Sequence, residues 1–330
     1  MIINWCCGTG INSFFFVFFF SESTDRFREE ICWLYPSPSS TIIPICIRYP
    51  VLFVPQSTHL CNEQKIGIWA MDMAQQFPNC QVVGMDFQSA TLSSLGRSMS
   101  NLSFQDVVMQ RNTTGLEPLE EDTIDYLMMR DVWLVNSPGH KWFETLAQVF
   151  RILKPGGWVE IYEQDLDVHS PGPYMKIADQ WYGSLYENVG ISRSIRDKLS
   201  SMMGEIGYIN IDERGIELPV GEWSTIPGMF LYCKIRQCLQ VCRFVPSNNN
   251  NLYILALKET GYLFKDLMVR RFRTFAPWLC EFSGTTLGEV NDVLDKCIAE
   301  CEEYKTSMCW RYFAAQKPCQ GKEQKAGLSK

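Results

Sequence analysis

The stretch from Gly67 to Phe87, GIWAMDMAQQFPNCQVVGMDF, constrains the fold most because it predicts a helix that runs directly into a buried strand. Apolar residues recur at helical spacing before Pro78 and Asn79 end the pattern, namely Ile68, Met71, Ala74 and Phe77. The residues 81–85, QVVGM, then predict a short buried strand, with Asp86 at its carboxyl end. A helix followed by a buried strand is half of an α/β unit, so we expect a parallel sheet flanked by helices.

The spacing within this stretch is typical of a nucleotide-binding unit. Asp86 follows Gly67 by 86 − 67 = 19 residues, close to the interval of about 20 between a glycine turn and the acid that accepts hydrogen bonds from ribose hydroxyls. A second candidate turn, Cys7-Gly8-Thr9-Gly10, lies near the start but runs into the Phe-rich segment 14–20. An Asp at a strand end also caps a following helix, and that alternative stays open.

Composition excludes several classes of function. The chain has 330 residues, a formal net charge of −7 and a pI near 5.2, so we expect it to bind neither nucleic acid nor an anionic membrane, which require a basic face. The Phe-rich segment is too short to span a bilayer, and the first basic residue is Arg26. We therefore expect a cytoplasmic protein, with the nucleus as an alternative.

Cysteine and histidine usage argues against a metal site. The 14 Cys are scattered without a C-x2-C pair, and only 3 His are present. We expect reduced structural cysteines and no metal.

Joined directly, CCGTG (6–10) and IWAMDMA (68–74) resemble the first motif of class I S-adenosylmethionine-dependent methyltransferases, LDxGCGTGxW followed by an amphipathic helix. Within that class the chain is most similar to fungal methyltransferases related to regulators of secondary metabolism. RILKPGGWVEIYEQDL (151–166) is the strongest match: a helix, a Pro-Gly-Gly turn and a fifth strand. DTIDYLMMRDVW, GYINIDERGIELPVGEW and EEYKTSMCWRYFAAQKP resemble the fourth strand, the sixth strand and the closing helix with the last strand.

The resemblance implies an α/β fold, a doubly wound, seven-stranded Rossmann-like methyltransferase sheet with helices on both faces and an antiparallel last strand. It divides the chain into six parts. These are the first strand with the glycine turn (1–10), an insertion (11–66), the core (67–228), a second insertion (229–257), the last helices with their strand (258–318) and a disordered tail (319–330). A helical segment at about 173–207 is expected to cover the acceptor, with Tyr174, Trp181, Tyr182 and Tyr186 as acceptor contacts or as lid core.

The resemblance also implies the cofactor, S-adenosyl-L-methionine, and its contacts. Backbone at Gly8, Gly10 and Gly67 would approach the ligand, since glycines lack Cβ atoms. Asp86 would bind the ribose, Asn112 would lie beside the adenine, and Arg130 would face the carboxyl edge of the sheet.

Other positions depart from the pattern or stay open. Cys6 replaces the first glycine of the motif and Asn4 its acid, and we expect weaker cofactor binding from the added Cβ. His140 and His169 follow strand ends and are candidate bases or ordinary loop residues, so no catalytic residue is assigned.

The two insertions, 11–66 and 229–257, interrupt motifs that become continuous when they are removed. We interpret both as translated introns, a hypothesis that sequencing the mature transcript tests, with genuine surface loops as the alternative.

Three functions remain from the sequence. The first is methyl transfer to a small-molecule or protein acceptor. The second is an NAD(P)-dependent Rossmann oxidoreductase, which shares the glycine turn and the acid. The third is a non-catalytic, degenerate methyltransferase fold. The segment 154–158, KPGGW, and the closing helix and strand favour the first.

Overall fold

The computed structural model of this protein describes residues 2–4, 68–86, 99–106, 113–130, 132–133, 136, 140–223 and 250–319. The predicted insertion 11–66, the predicted segment 229–249 and the chain beyond 319 lie outside the described residues. The same holds for four of the predicted cofactor contacts, Gly8, Gly10, Gly67 and Asn112.

The described strands form one mixed sheet of seven strands in the order β3-β2-β1-β4-β5-β7-β6. Strands β1 to β5 run parallel to one another, whereas β7 is antiparallel to both β5 and β6. The predicted α/β sheet with an antiparallel last strand is therefore confirmed. The strands are β1 (Ile2–Asn4), β2 (Val82–Asp86), β3 (Leu102–Asp106), β4 (Ile124–Arg130), β5 (Leu153–His169), β6 (Ile209–Pro219) and β7 (Ser307–Gln316).

Six α-helices and a short 3-10 helix are described around this sheet. They are α1 (Ile68–Gln76), α2 (Lys141–Ile152), α3 (Pro173–Asn188), α4 (Leu199–Ile206), α5 (Asn250–Ser283), α6 (Leu287–Tyr304) and the 3-10 helix Ile195–Lys198. The predicted helical segment at about 173–207 corresponds to α3, the 3-10 helix and α4. Helix α5 begins at Asn250, inside the range of the second predicted insertion.

Alternation along β4 divides the core between the two faces of the sheet. Tyr126 and Met128 pack in one apolar cluster with α1, while Leu127 and Met129 pack in a larger cluster with the remaining helices. Successive side chains of a strand point to opposite faces, so the described helices cover both faces, as the sequence predicts.

The buried face of α1 differs from the predicted one. Ala70, Met73 and Ala74 are buried and Phe77 packs against them, whereas Met71 is only half-buried. These positions follow the i, i+3, i+4, i+7 spacing of a single helix face. Because alanine side chains are small, this face allows α1 to pack against the sheet. The apolar pattern of the sequence, which also includes Ile68 and Met71, does not show which face of α1 is buried.

The fifth strand begins earlier than predicted. The sequence predicts a helix to Lys154 and a strand from Trp158, but α2 ends at Ile152 and β5 starts at Leu153. Gly156 has φ +84°, and a Cβ on Gly157 would lie 2.9 to 3.1 Å from backbone oxygens of Lys154, Asp125 and Ile124. The Pro-Gly-Gly segment is thus a close crossing of two backbones at the start of the strand.

Candidate functional site

The carboxyl ends of the parallel strands gather polar residues at one edge of the sheet. Asp86 ends β2 and Asp106 ends β3, and the two are register partners. Arg130 ends β4, and Asn4 ends β1 between β2 and β4. The ends of β2 and β4 are two strand spacings apart, about 10 Å. The two predicted site residues that the structure describes, Asp86 and Arg130, therefore lie at the same edge.

Sequence reasoning missed Asp106. Its segment, LSFQD, repeats the pattern that identifies Asp86: a short strand that ends in an acid. That signal was available, but a five-residue strand of mixed polarity resembles a loop when it is read alone.

The guanidinium of Arg130 lies on the β5 side of β4, whereas Asp86 ends β2 on the other side of β4. The guanidinium is 5.5 Å from the centroid of the Trp310 ring on β7, and the residue is only 6% exposed. Since the strand order runs β2-β1-β4-β5-β7, this cation–π contact crosses β5. The structure brings Asp86 and Arg130 to one edge of the sheet, with the charge of Arg130 on the β7 side.

The loop after β4 is attached to β5 by a carboxylate. Glu163 is fully buried, and its Oε1 accepts a hydrogen bond from the backbone N–H of Val132 at 2.7 Å. Asn136 extends the attachment, because its Nδ2 donates to the Val132 carbonyl at 3.0 Å and its Oδ1 accepts from Thr145 Oγ1 at 2.6 Å. These bonds attach Val132 and Asn136, which lie on either side of Trp133 in the sequence, to β5 and α2.

Asp165 connects the helical segment to the last strand. Its Oδ1 lies 3.2 Å from Nε of Arg196 in the 3-10 helix and 3.0 Å from Nε of Arg311 on β7. Burial lowers the pKa of the Arg196 guanidinium, only 1% of whose side chain is exposed. Partial burial has the same effect at Arg311, but there Asp165 and Asp197 outweigh it and raise the pKa. Neither Asp165 nor Glu163 was singled out from the sequence.

The predicted lid aromatics separate into two groups. Tyr182 and Tyr186 are buried in the core, Trp181 is half-buried, and Tyr174 is exposed with Lys296 Nζ 5.1 Å from its ring centroid. Burial raises the pKa of the Tyr182 phenol well above its ordinary value. Tyr182 and Tyr186 therefore belong to the buried core, whereas Tyr174 belongs to the surface.

The two candidate bases lie on the surface. His140 precedes α2 and is exposed. His169 ends β5 and pairs with Glu217, with 3.2 Å between Nδ1 and Oε1. Both residues stay unassigned as catalytic groups.

Among the described residues, no helix combines the length and the apolar character that crossing a membrane requires.

Comparison with known proteins identifies a shared domain. Residues 66–157 match a family model described as a methyltransferase domain. The secondary metabolism regulator LAE1 of Cochliobolus heterostrophus is 26% identical over 196 residues, which cover 54% of this chain and 60% of that protein. The methyltransferase cpsF of Aspergillus campestris is 24% identical over 177 residues, 48% of this chain and 58% of that protein. The chain thus spans about three fifths of these two relatives.

Two further similarities extend over more of the chain. The N-methyltransferase verN of Clonostachys rogersoniana is 22% identical over 256 residues, 76% of each protein. Among solved structures, phosphoethanolamine N-methyltransferase 2 of Haemonchus contortus has a TM-score of 0.43 and 14% identity, covering 89% of this chain and 52% of that chain. A TM-score this low supports no assignment, so the fold rests on the strand order above.

Proposed function

We propose that this chain, which carries a class I S-adenosylmethionine-dependent methyltransferase domain distantly related to fungal secondary-metabolism regulators, transfers a methyl group to an acceptor by in-line displacement. The observation that carries the proposal is the match of residues 66–157 to a methyltransferase domain. That range contains α1 and strands β2, β3 and β4, whose carboxyl ends form the polar edge.

The residues at this edge fit the proposed cofactor by their chemistry. Asp86 and Asp106 end adjacent strands in register, and a carboxylate at the carboxyl end of a strand suits a ligand with hydroxyl donors. Asp86 would accept hydrogen bonds from the ribose hydroxyls. The backbone at Gly8, Gly10 and Gly67 and the side chain of Asn112 complete the proposed set, as the motif resemblance implies.

When bound, S-adenosylmethionine supplies a methyl group that its sulfonium sulfur already activates. The protein then contributes mainly by holding the acceptor in line and excluding water, and orientation of this kind accounts for several kcal/mol, at most about 10, of barrier lowering. A base is needed only for an acceptor that must lose a proton. We assign no such base.

Isothermal titration calorimetry of the full chain with S-adenosylhomocysteine and with NADH tests this function. We expect saturable binding of S-adenosylhomocysteine and none of NADH. Binding of NADH alone would reverse the assignment in favour of a dinucleotide oxidoreductase. Binding of neither would favour the non-catalytic fold. The Cβ of Cys6, which replaces the first glycine of the motif, and the loss of the motif's acid at Asn4 would then explain the weak cofactor binding.

A further inference from the structure

A cluster of three aromatic side chains and one arginine lies immediately beyond the carboxyl end of β4. It consists of Trp133, Tyr182, Tyr186 and Arg271, and we call it the Arg271 cluster. Trp133 follows the last residue of β4 by three positions, in the loop that Glu163 holds against β5. Tyr182 and Tyr186 belong to α3, and Arg271 belongs to α5. An acceptor that meets a methyl donor at the edge of the sheet would approach from this side.

The guanidinium of Arg271 is fixed by contacts on two sides. Its Nη2 donates to Tyr186 Oη at 2.6 Å, and its carbon lies 5.2 Å from the Trp133 ring centroid and 6.0 Å from that of Tyr182. The three rings are buried, but Arg271 itself is only half-buried. The charge is thus held at the boundary between an aromatic interior and the surface. A planar guanidinium in such a place matches the geometry of a carboxylate.

Tyr182 provides a second, independent sign of a ligand. The residue is 6% exposed, and its Oη has no hydrogen-bond partner among the residues that the structure describes. Its ring is fixed by Phe272, stacked at 5.6 Å, and by Tyr186 at 5.8 Å. Leaving a buried hydroxyl unpaired destabilises a protein, so such a group in a native structure calls for an explanation, such as an ordered water, an ion or a functional role. Because burial raises the pKa of this phenol, the hydroxyl keeps its proton and remains a donor.

The ligand that suits these groups is a flat anion. Two donors, one of them cationic, require an acceptor oxygen that bears negative charge, and the aromatic surroundings favour a planar apolar body. The protein has a net charge of −7, so a local cation is needed to attract a carboxylate at all.

We propose that Arg271 and Tyr182 bind the carboxylate of the methyl acceptor, a planar aromatic or conjugated acid whose ring packs among the rings of the Arg271 cluster. This proposal rests on the methyltransferase function proposed above. It specifies the acceptor class that the motif resemblance leaves open.

Paired titrations of the full chain with naphthoate and naphthamide test the proposal, because the two probes share a ring system and differ in charge. We expect naphthoate to bind at least 10-fold tighter than naphthamide to the wild-type protein, the difference that one charge-assisted hydrogen bond provides. Arg271→Gln should bring the ratio close to one. Tyr182→Phe should weaken naphthoate binding several-fold and naphthamide binding less, because an amide oxygen is a weaker acceptor than a carboxylate oxygen. Equal binding of the two probes to the wild type, or binding of neither, would overturn the proposal.

Arg270→Gln is the matched control. Arg270 is the preceding residue of α5, is exposed, and pairs with Asp266 one turn away, with 2.9 Å between Nε and Oδ2. Its replacement should leave the preference for naphthoate intact. A preference that persists in folded Arg271→Gln would also overturn the proposal. If that variant does not fold, the wild-type ratio and Tyr182→Phe decide.

A separate titration with S-adenosylhomocysteine distinguishes this proposal from the proposed function. Cofactor binding without a preference for naphthoate contradicts the acceptor class alone. A preference for naphthoate without cofactor binding contradicts methyl transfer but leaves the anion site in place.

Discussion

Glu300 of α6 caps the amino terminus of α3 through the backbone of Met175. Its Oε1 accepts from Met175 N at 2.7 Å, and its Oε2 accepts from Tyr174 N at 3.2 Å. A helix amino terminus has N–H groups without intrahelical partners and favours negative charge. The carboxylate is buried and so close to Gly172 that a Cβ there would clash with it. The helix that carries Tyr182 and Tyr186 is thus positioned by a residue 125 positions later in the chain.

Glu300→Gln should destabilise the protein by about 1–3 kcal/mol, because the amide replaces one acceptor oxygen by a donor that faces a backbone N–H. Urea unfolding measures the change. Glu303→Gln on the same helix is the control, since Glu303 is exposed, and it should change stability by less than about 0.5 kcal/mol. Equal effects of the two substitutions would contradict the capping role.

Gly157→Ala should destabilise the fold by at least about 1 kcal/mol, because the new methyl group would meet three backbone oxygens that side-chain rotation cannot move. Gly183→Ala provides the contrast. Gly183 lies within α3, and its nearest neighbour, Nη1 of Arg193, would be 3.8 Å from the new Cβ. A helical Gly→Ala change without steric conflict should stabilise by about 0.5–1 kcal/mol. Thermal unfolding of both variants should show shifts of opposite sign.

Asp86→Ala should weaken S-adenosylhomocysteine binding by about 10-fold or more, the value of a hydrogen bond from ribose hydroxyls to a charged acceptor. Calorimetry measures the affinity. Asp122→Asn is the control at the opposite edge of the sheet, where Asp122 precedes β4 and accepts from Lys317 Nζ at 2.7 Å. Asp122 has φ +55°, which Asn tolerates. Unchanged affinity in Asp86→Ala would remove Asp86 from the proposed cofactor site.

A variant without the predicted insertion 11–66, in which a Gly10–Gly67 junction replaces it, should bind S-adenosylhomocysteine at least 10-fold more tightly than the full chain, because the glycine turn then leads into α1 as the motif requires. The same junction combined with Asp86→Ala should lose that gain. An affinity that the junction leaves unchanged would support the non-catalytic interpretation.

Buried cysteines should resist alkylation in the folded protein. Burial raises the pKa of the Cys301 thiol to about 11 and also raises that of Cys297. At pH 8, about a thousandth of a thiol with that pKa is the reactive thiolate. Iodoacetamide at pH 8, followed by peptide mass spectrometry, should therefore modify exposed Cys319 well before Cys297 and Cys301. Urea should abolish the difference, and equal rates without urea would contradict the packing of α6.

Much of the fold follows from patterns within short windows of sequence. The helix after Ile68, the strand that ends in Asp86, and the Pro-Gly-Gly segment before Trp158 all express periodicity or backbone restriction over a few residues. The buried face of α1 was predicted less well, because apolar residues occur on more than one face of this helix. Only the packing of the helix against the sheet shows that Ala70, Met73 and Ala74 are the buried ones.

The sequence by itself determined the class of sheet, the order of its elements and the placement of Asp86 and Arg130 at strand ends. Local periodicity and turn chemistry suffice for the helix and the strand that ends in Asp86, and the resemblance of the motifs to a known family supplies the rest. Only the tertiary structure decided that Arg130 stacks on Trp310, that Glu300 caps α3, and that Arg271 of α5 meets Tyr186 of α3. Each of these contacts joins residues 85 or more positions apart along the chain. No periodic signal spans such intervals, because these partners meet only when separate elements pack together.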